Sequence, residues 1–97
     1  MDDEFEWHEP KRAINLEKHG IDFDDAMMIW AGPVATRRSG HDAEERFISV
    51  GDVDGRIIAV VWTLRGSRRR LISARRARNH ERNCYAAFVE RGGQRPH

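Results

Sequence analysis

Hydrophobic positions follow a helical rhythm in the first third of the chain and a strand-like rhythm after residue 34. In FEWHEPKRAINLEKHGI a short alternating piece is followed by Pro10, at a place where a first helical turn tolerates proline. Gly20 stands where a helix takes a left-handed stop, so a helix is predicted near residues 10–19. In IDFDDAMMIWAGP, Asp22 reads as an N-cap with Asp25 three positions on, and Ile21 and Ala26 occupy the positions of a hydrophobic staple. Gly32-Pro33 ends this second short helix, whose Ala26, Ile29 and Trp30 form a core stripe. VATRRS is short and mixed, ERFISVGDV alternates, and RIIAVVWTL is nearly continuous apolar, as a central strand covered on both faces would be. Asp54-Gly55 and Arg65-Gly66-Ser67 supply the tight turns of an antiparallel meander.

The stretch RGSRRRLISARRARNHER, residues 65–82, holds eight arginines and a single acid, Glu81. A solvated tail would not carry Leu71, Ile72 and Ala74 in its middle, so RRRLISARR reads as the last strand, at or near a sheet edge. Cys84, Tyr85, Phe88 and Val89 then recur at helical spacing, predicting a helix over about residues 79–91 that packs back on the sheet until Gly92-Gly93. The expected fold is α+β: one domain over residues 1–91, built as an antiparallel β-meander with two N-terminal helices and one C-terminal helix packed on it. Residues 92–97 are read as a frayed tail.

Composition changes this picture in two ways. At 97 residues the chain has material for a single modest core. The net charge of +1 conceals a division: residues 1–55 hold six Lys or Arg against fourteen Asp or Glu, whereas residues 56–97 hold eleven Arg, two Glu and no lysine. Such asymmetry points to nucleic acid or an acidic partner on the basic side, or to two halves that neutralise each other. Exclusive use of arginine favours directed, two-pronged anion contacts over diffuse positive charge. The lone Cys84 permits no internal disulfide and reads as a packing residue, and neither a leader nor a long apolar run is present, so a reducing cytoplasm and no membrane association are expected.

Strand alternation lets residues 65, 69 and 75, or 70 and 76, project in sets, with Arg46 arriving from a neighbouring strand. His19 reads as a helix-end cap or a proton carrier, Glu45 as an ion-pair partner of Arg46 or a general base, and the Arg75-x4-His80 spacing as chance. His8 and His41 acquire no role from spacing. No serine elbow, phosphate-cradling glycine loop or metal-ligand set is visible, and no cofactor is expected. Cleavage of RNA without metal needs only a base for the 2′-hydroxyl, positive charge for the phosphorane and a proton for the leaving oxygen, and these residue types are all present.

FEWHEPKRAINLEKHGIDFDDA, EERFISVG, TLRG and RLISARRA, followed by a helix with Glu81, Arg82 and Tyr85, together resemble the BrnT toxins of bacterial type II toxin–antitoxin systems over about residues 5–88. The resemblance implies a RelE-like domain whose ribonuclease activity arrests translation, and the arginine-rich strand makes a metal-independent endoribonuclease the expected form of it. The resemblance also implies a BrnA-like ribbon-helix-helix antitoxin that masks the toxin in a hetero-oligomer and alone touches operator DNA. The matching positions are Lys18, His19, Gly20, Glu45, Arg46, Arg65, Gly66, Arg75, Arg76, Glu81, Arg82 and Tyr85. On this reading Arg46, Arg65, Arg75 and Arg76 neutralise the scissile phosphate, His19 or Glu45 accepts the proton, and Tyr85 or His80 donates one. Lys18, Arg69, Arg82 and His80 contact RNA, while Arg68, Arg70 and Arg78 are solvated charge, a description that also fits Arg69. Two positions depart from the family pattern: Arg78 replaces a capping threonine, so that Asn79 is expected to start the helix, and Leu64 replaces a glutamate beside Arg65. A non-catalytic binding module acting through antitoxin or DNA, or an inactive co-repressor, would use the same arginines.

Overall fold

The computed structural model describes residues 4–40 and 44–92, so the expectations for His41 and for the tail from residue 93 lie outside the described residues. The elements are β1 (Phe5–Glu6), α1 (Glu9–His19), α2 (Phe23–Ala26) continued by a 3-10 turn (Met27–Ala31), β2 (Ala35–Ser39), β3 (Arg46–Val53), β4 (Arg56–Arg65), β5 (Arg68–Arg76) and α3 (Asn79–Glu90). The strands form one sheet in the order β1-β5-β4-β3-β2. β2 to β5 are the expected antiparallel meander, and RIIAVVWTL is its central strand. The sheet as a whole is mixed, because β1 pairs parallel with β5 through Phe5 and Glu6. The meander leaves the outer side of β5 open, and a two-residue segment far away in sequence fills part of it; periodicity carries no information about such a pairing.

Alternation along β4 divides the interior into two cores. Ile58, Val60 and Trp62 face Ile21, Phe23, Ala26 and Ile29, whereas Ala59 faces Ile48, Val50, Ala77 and Tyr85 on the other side. α2 and the 3-10 turn therefore cover one face of the sheet, and α3 covers one end of the opposite face. The 3-10 turn lies so close to β3 that a Cβ on Gly51 would fall 2.6 Å from Ile29 Cβ. In the first core Trp62 Nε1–H donates to Ser49 Oγ at 2.8 Å, and Phe47 stacks on Trp62 with ring centroids 4.7 Å apart.

The placement of α1 differs from expectation. It buries Asn15 alone, and Ile14 and Leu16 are exposed, so no apolar stripe holds it on the sheet. Instead it flanks the β5 edge beyond β1: Asn15 Nδ2–H donates to Ala74 O at 2.9 Å, and Ala74 N–H donates to Asn15 Oδ1 at 3.1 Å. The side-chain amide imitates a neighbouring strand and satisfies an otherwise open edge. Arg12 fastens the same helix to Asp22 at 2.7 Å while also pairing within the helix with Glu9 at 3.2 Å, and the bond from Arg12 lowers the Asp22 pKa.

The ends of the helices are set locally. Gly20, at φ 71°, stops α1, and Asp22 caps α2 by accepting from Asp24 N–H rather than from Asp25. α3 begins at Asn79, as expected, with Arg78 as its N-cap, and Glu81 accepts from Arg78 N–H at 2.8 Å, which is half of a capping box without the threonine. Its sheet-facing residues are Glu81, Tyr85 and Phe88; Cys84 and Val89 are exposed, so Cys84 is not a packing residue. No helix among the described residues is long and apolar enough to cross a membrane.

Candidate functional site

One irregularity decides which arginines share a face. The β4–β5 register pairs Val61 with Ser73 but Trp62 with Leu71, so Ile72 is an extra, bulged residue in β5. A single inserted residue reverses the alternation beyond it. Neither set expected from strict alternation survives whole: Arg65 and Arg75 still share a face, but Arg69 leaves them, and Arg70 and Arg76 part. Arg70 and Arg75 lie on the face of Arg65 and Arg46, while Arg69 and Arg76 lie on the opposite face.

At one end of the first face, beyond the reach of α3, β3, β4 and β5 deliver Arg46, Arg65 and Arg70 to a pocket of about 310 Å³. His8, Lys11 and Glu44 complete its polar rim, and Thr63 and Ile72 contribute to its wall. Arg46 pairs with Glu44 at 2.9 Å and Arg70 with Glu6 at 2.8 Å, whereas Arg65 has no ion-pair partner among the described residues. Both carboxylates keep substantial solvent access, at 44% for Glu44 and 28% for Glu6, so an anion can displace them without leaving buried charge behind. Thr63 Oγ1–H donates to Glu45 O at 2.6 Å and fixes the start of β3 under the pocket. The expected partner of Arg46 is thus replaced: Glu45 turns to Arg38, and Glu44 lies in the pocket.

A second arginine site on the same face is closed. Arg75 donates twice to Glu81, at 2.8 and 3.0 Å, Arg37 adds a contact at 3.3 Å, and Glu81 is buried at 3% exposure. The hydrogen bonds from Arg75 outweigh burial and hold the Glu81 carboxyl at about 2. Arg75 is accordingly a strut between β5 and α3. Tyr85 O–H donates to Pro33 O at 2.9 Å, and burial pushes its phenol up, so it is committed to the protein. His80 and Cys84 line an apolar cleft of about 460 Å³ beside α3, and Arg82 donates to Asn79 Oδ1 and Ala77 O at the helix start.

The remaining expected site residues are scattered. Lys18 and His19 line a shallow groove between α1 and β5. Arg76 is exposed on the opposite face, and Arg69 there stacks over Trp30 at 4.9 Å and over Phe5 and Trp62 at 5.4 Å. Leu64 pairs with Arg69 and faces away from Arg65, so its side chain takes nothing from the pocket. Sequence reasoning missed His8, Lys11 and Arg70. His8 reaches the arginines through contacts remote in sequence, the β1–β5 pairing before it and the Asn15–Ala74 bonds of α1 after it.

Three arginines on adjacent strands, beside a histidine and displaceable carboxylates, give a small α+β protein a pocket that can hold an anion. Residues 7–81 match the family described as "Ribonuclease toxin, BrnT, of type II toxin-antitoxin system", and the chain belongs to that family. An antitoxin partner follows from this membership. No curated protein matches the chain.

Proposed function

We propose that the arginine pocket cleaves RNA without a metal ion, by attack of a 2′-hydroxyl on the adjacent phosphate. His8 takes the 2′-proton, the 2′-oxygen bonds to phosphorus, the bond to the 5′-oxygen breaks, and that oxygen leaves with the proton returned by the His8 imidazolium. The products are a 2′,3′-cyclic phosphate and a 5′-hydroxyl. Arg46, Arg65 and Arg70 neutralise the phosphorane charge, the role that a metal would otherwise fill. Imidazole suits both proton transfers near neutral pH. The observation carrying this reading is the convergence of three arginines and His8 on one open pocket.

Cleavage of messages would inhibit translation in the cytoplasm, and a ribbon-helix-helix antitoxin would mask the toxin. The helix-flanked sheet is consistent with RelE-like kinship. Of the catalytic roles expected for Arg75, Arg76, Tyr85, Glu45 and His19, none is needed here, since these side chains stand outside the pocket.

The test uses toxin purified free of antitoxin, incubated with RNA in excess chelator. Cleavage with cyclic phosphate ends, lost in His8→Ala and Arg65→Ala, is expected. Intact RNA, or cleavage that persists in both variants, overturns the proposal.

A further inference from the structure

The arginine pocket does not end at its own rim. Lys11 and Ile72 line both this pocket and the groove of about 220 Å³ between α1 and β5, so the two depressions adjoin. The groove is further lined by Ile14, Lys18, His19 and Ser73, and no carboxylate appears in its lining among the described residues. Lys11, Ile14 and Lys18 recur at helical spacing, so they form one stripe of α1, about 10 Å long from lysine to lysine. The stripe faces β5 but is not a packing stripe, since Ile14 remains 62% exposed. Asn15, the one buried residue within it, already has its amide engaged by Ile21 and Ala74.

Resting on the ribonuclease reading above, we propose that this groove is a second nucleic-acid subsite, taking the single-stranded RNA backbone that runs on from the scissile phosphate. Lys11 and Lys18 meet successive stretches of phosphate, and His19 adds a donor at the far end. Ile14 and Ile72 offer apolar surface to ribose or base. The bulge at Ile72 makes the join, because it bends β5 between the two depressions. Each phosphate contact on a single strand steepens the salt dependence of binding by about 0.7 in log–log slope, so the subsite has a measurable signature.

The test uses uncleavable 2′-O-methyl RNA as a trinucleotide and as a decanucleotide, with binding read by fluorescence anisotropy at several salt concentrations. The wild-type chain should bind the longer strand more tightly. Combining Lys18→Glu with Ile14→Asp, both at exposed positions, should weaken decanucleotide binding roughly tenfold and flatten its salt slope by about 0.7 or more. Trinucleotide binding should stay within about twofold. Equal loss at both lengths, or no loss at either, overturns the subsite. Unchanged RNA binding with a weakened antitoxin complex would make the groove a protein contact and also overturns it. If the wild-type chain binds neither strand, the ribonuclease reading falls as well, whereas equal wild-type affinity for both lengths removes the subsite alone.

Discussion

Arg65 and Arg75 stand on the same face of one sheet, yet they occupy opposite electrostatic situations. Arg75 meets a carboxylate that is buried, doubly bonded to it and tied to the first turn of α3, so no incoming anion can compete for it. Arg65 is exposed, and its neighbours Arg46 and Arg70 rest against carboxylates with solvent access. The same side chain is therefore a structural pin in one place and an exposed cation, open to an anion, in the other. The difference lies in the counter-ion, whose burial fixes one guanidinium and whose exposure frees the others.

The comparison breaks most sharply under substitution of the open arginines. Arg46→Ala with Arg65→Ala should lower the cleavage rate by about 10²–10³-fold or more while leaving the melting temperature nearly unchanged. A large thermal shift in that variant would mean that the open site is structural too. Glu81→Gln should do the reverse, costing about 3 kcal/mol of stability because it strands the half-buried Arg75 and weakens the start of α3; denaturant unfolding reads this directly.

Acid should sharpen the same contrast. The Glu81 carboxyl is held at about 2 against an ordinary 4.5, so its contribution is complete above 4.5 and is lost as pH falls from there towards 2. Stability of the wild-type chain should drop over that interval, and the drop should shrink in Glu81→Gln. The smallest effect is expected at Arg69, which shares neither situation. Arg69→Met should cost about 1 kcal/mol through lost contact with the three aromatic rings and leave RNA binding intact; weakened RNA binding would show that the opposite face also meets substrate.

The charge division of the chain contributes less to internal neutralisation than its totals imply. Arg70–Glu6 is the single ion pair among the described residues that joins an arginine of the second half to a carboxylate of the first. Acidic residues of the first half mostly engage cations of their own half, as in Arg12 with Asp22 and Arg46 with Glu44. Much of the basic surface is left for a partner or substrate, in keeping with membership of a ribonuclease toxin family.

Local chemistry determined a good deal of this protein from sequence alone. Gly20 ends α1, Asp22 caps α2, Asp54-Gly55 turns β3 into β4 with both residues at positive φ, and the apolar run of β4 lies centrally. These are short-range effects, each expressed within a few residues, and family resemblance reached further by matching them in order. Residues 65–82 were legible as a folded strand and helix start because Leu71 and Ala74 had to be buried, as they are. What only the tertiary structure decided is which arginines share a face and a pocket. One bulged residue at Ile72 reverses the facing of the strand, and the two-residue parallel pairing together with the Asn15–Ala74 bonds carries His8 to the pocket. Both depend on contacts between segments remote in sequence, where no periodicity records the partner.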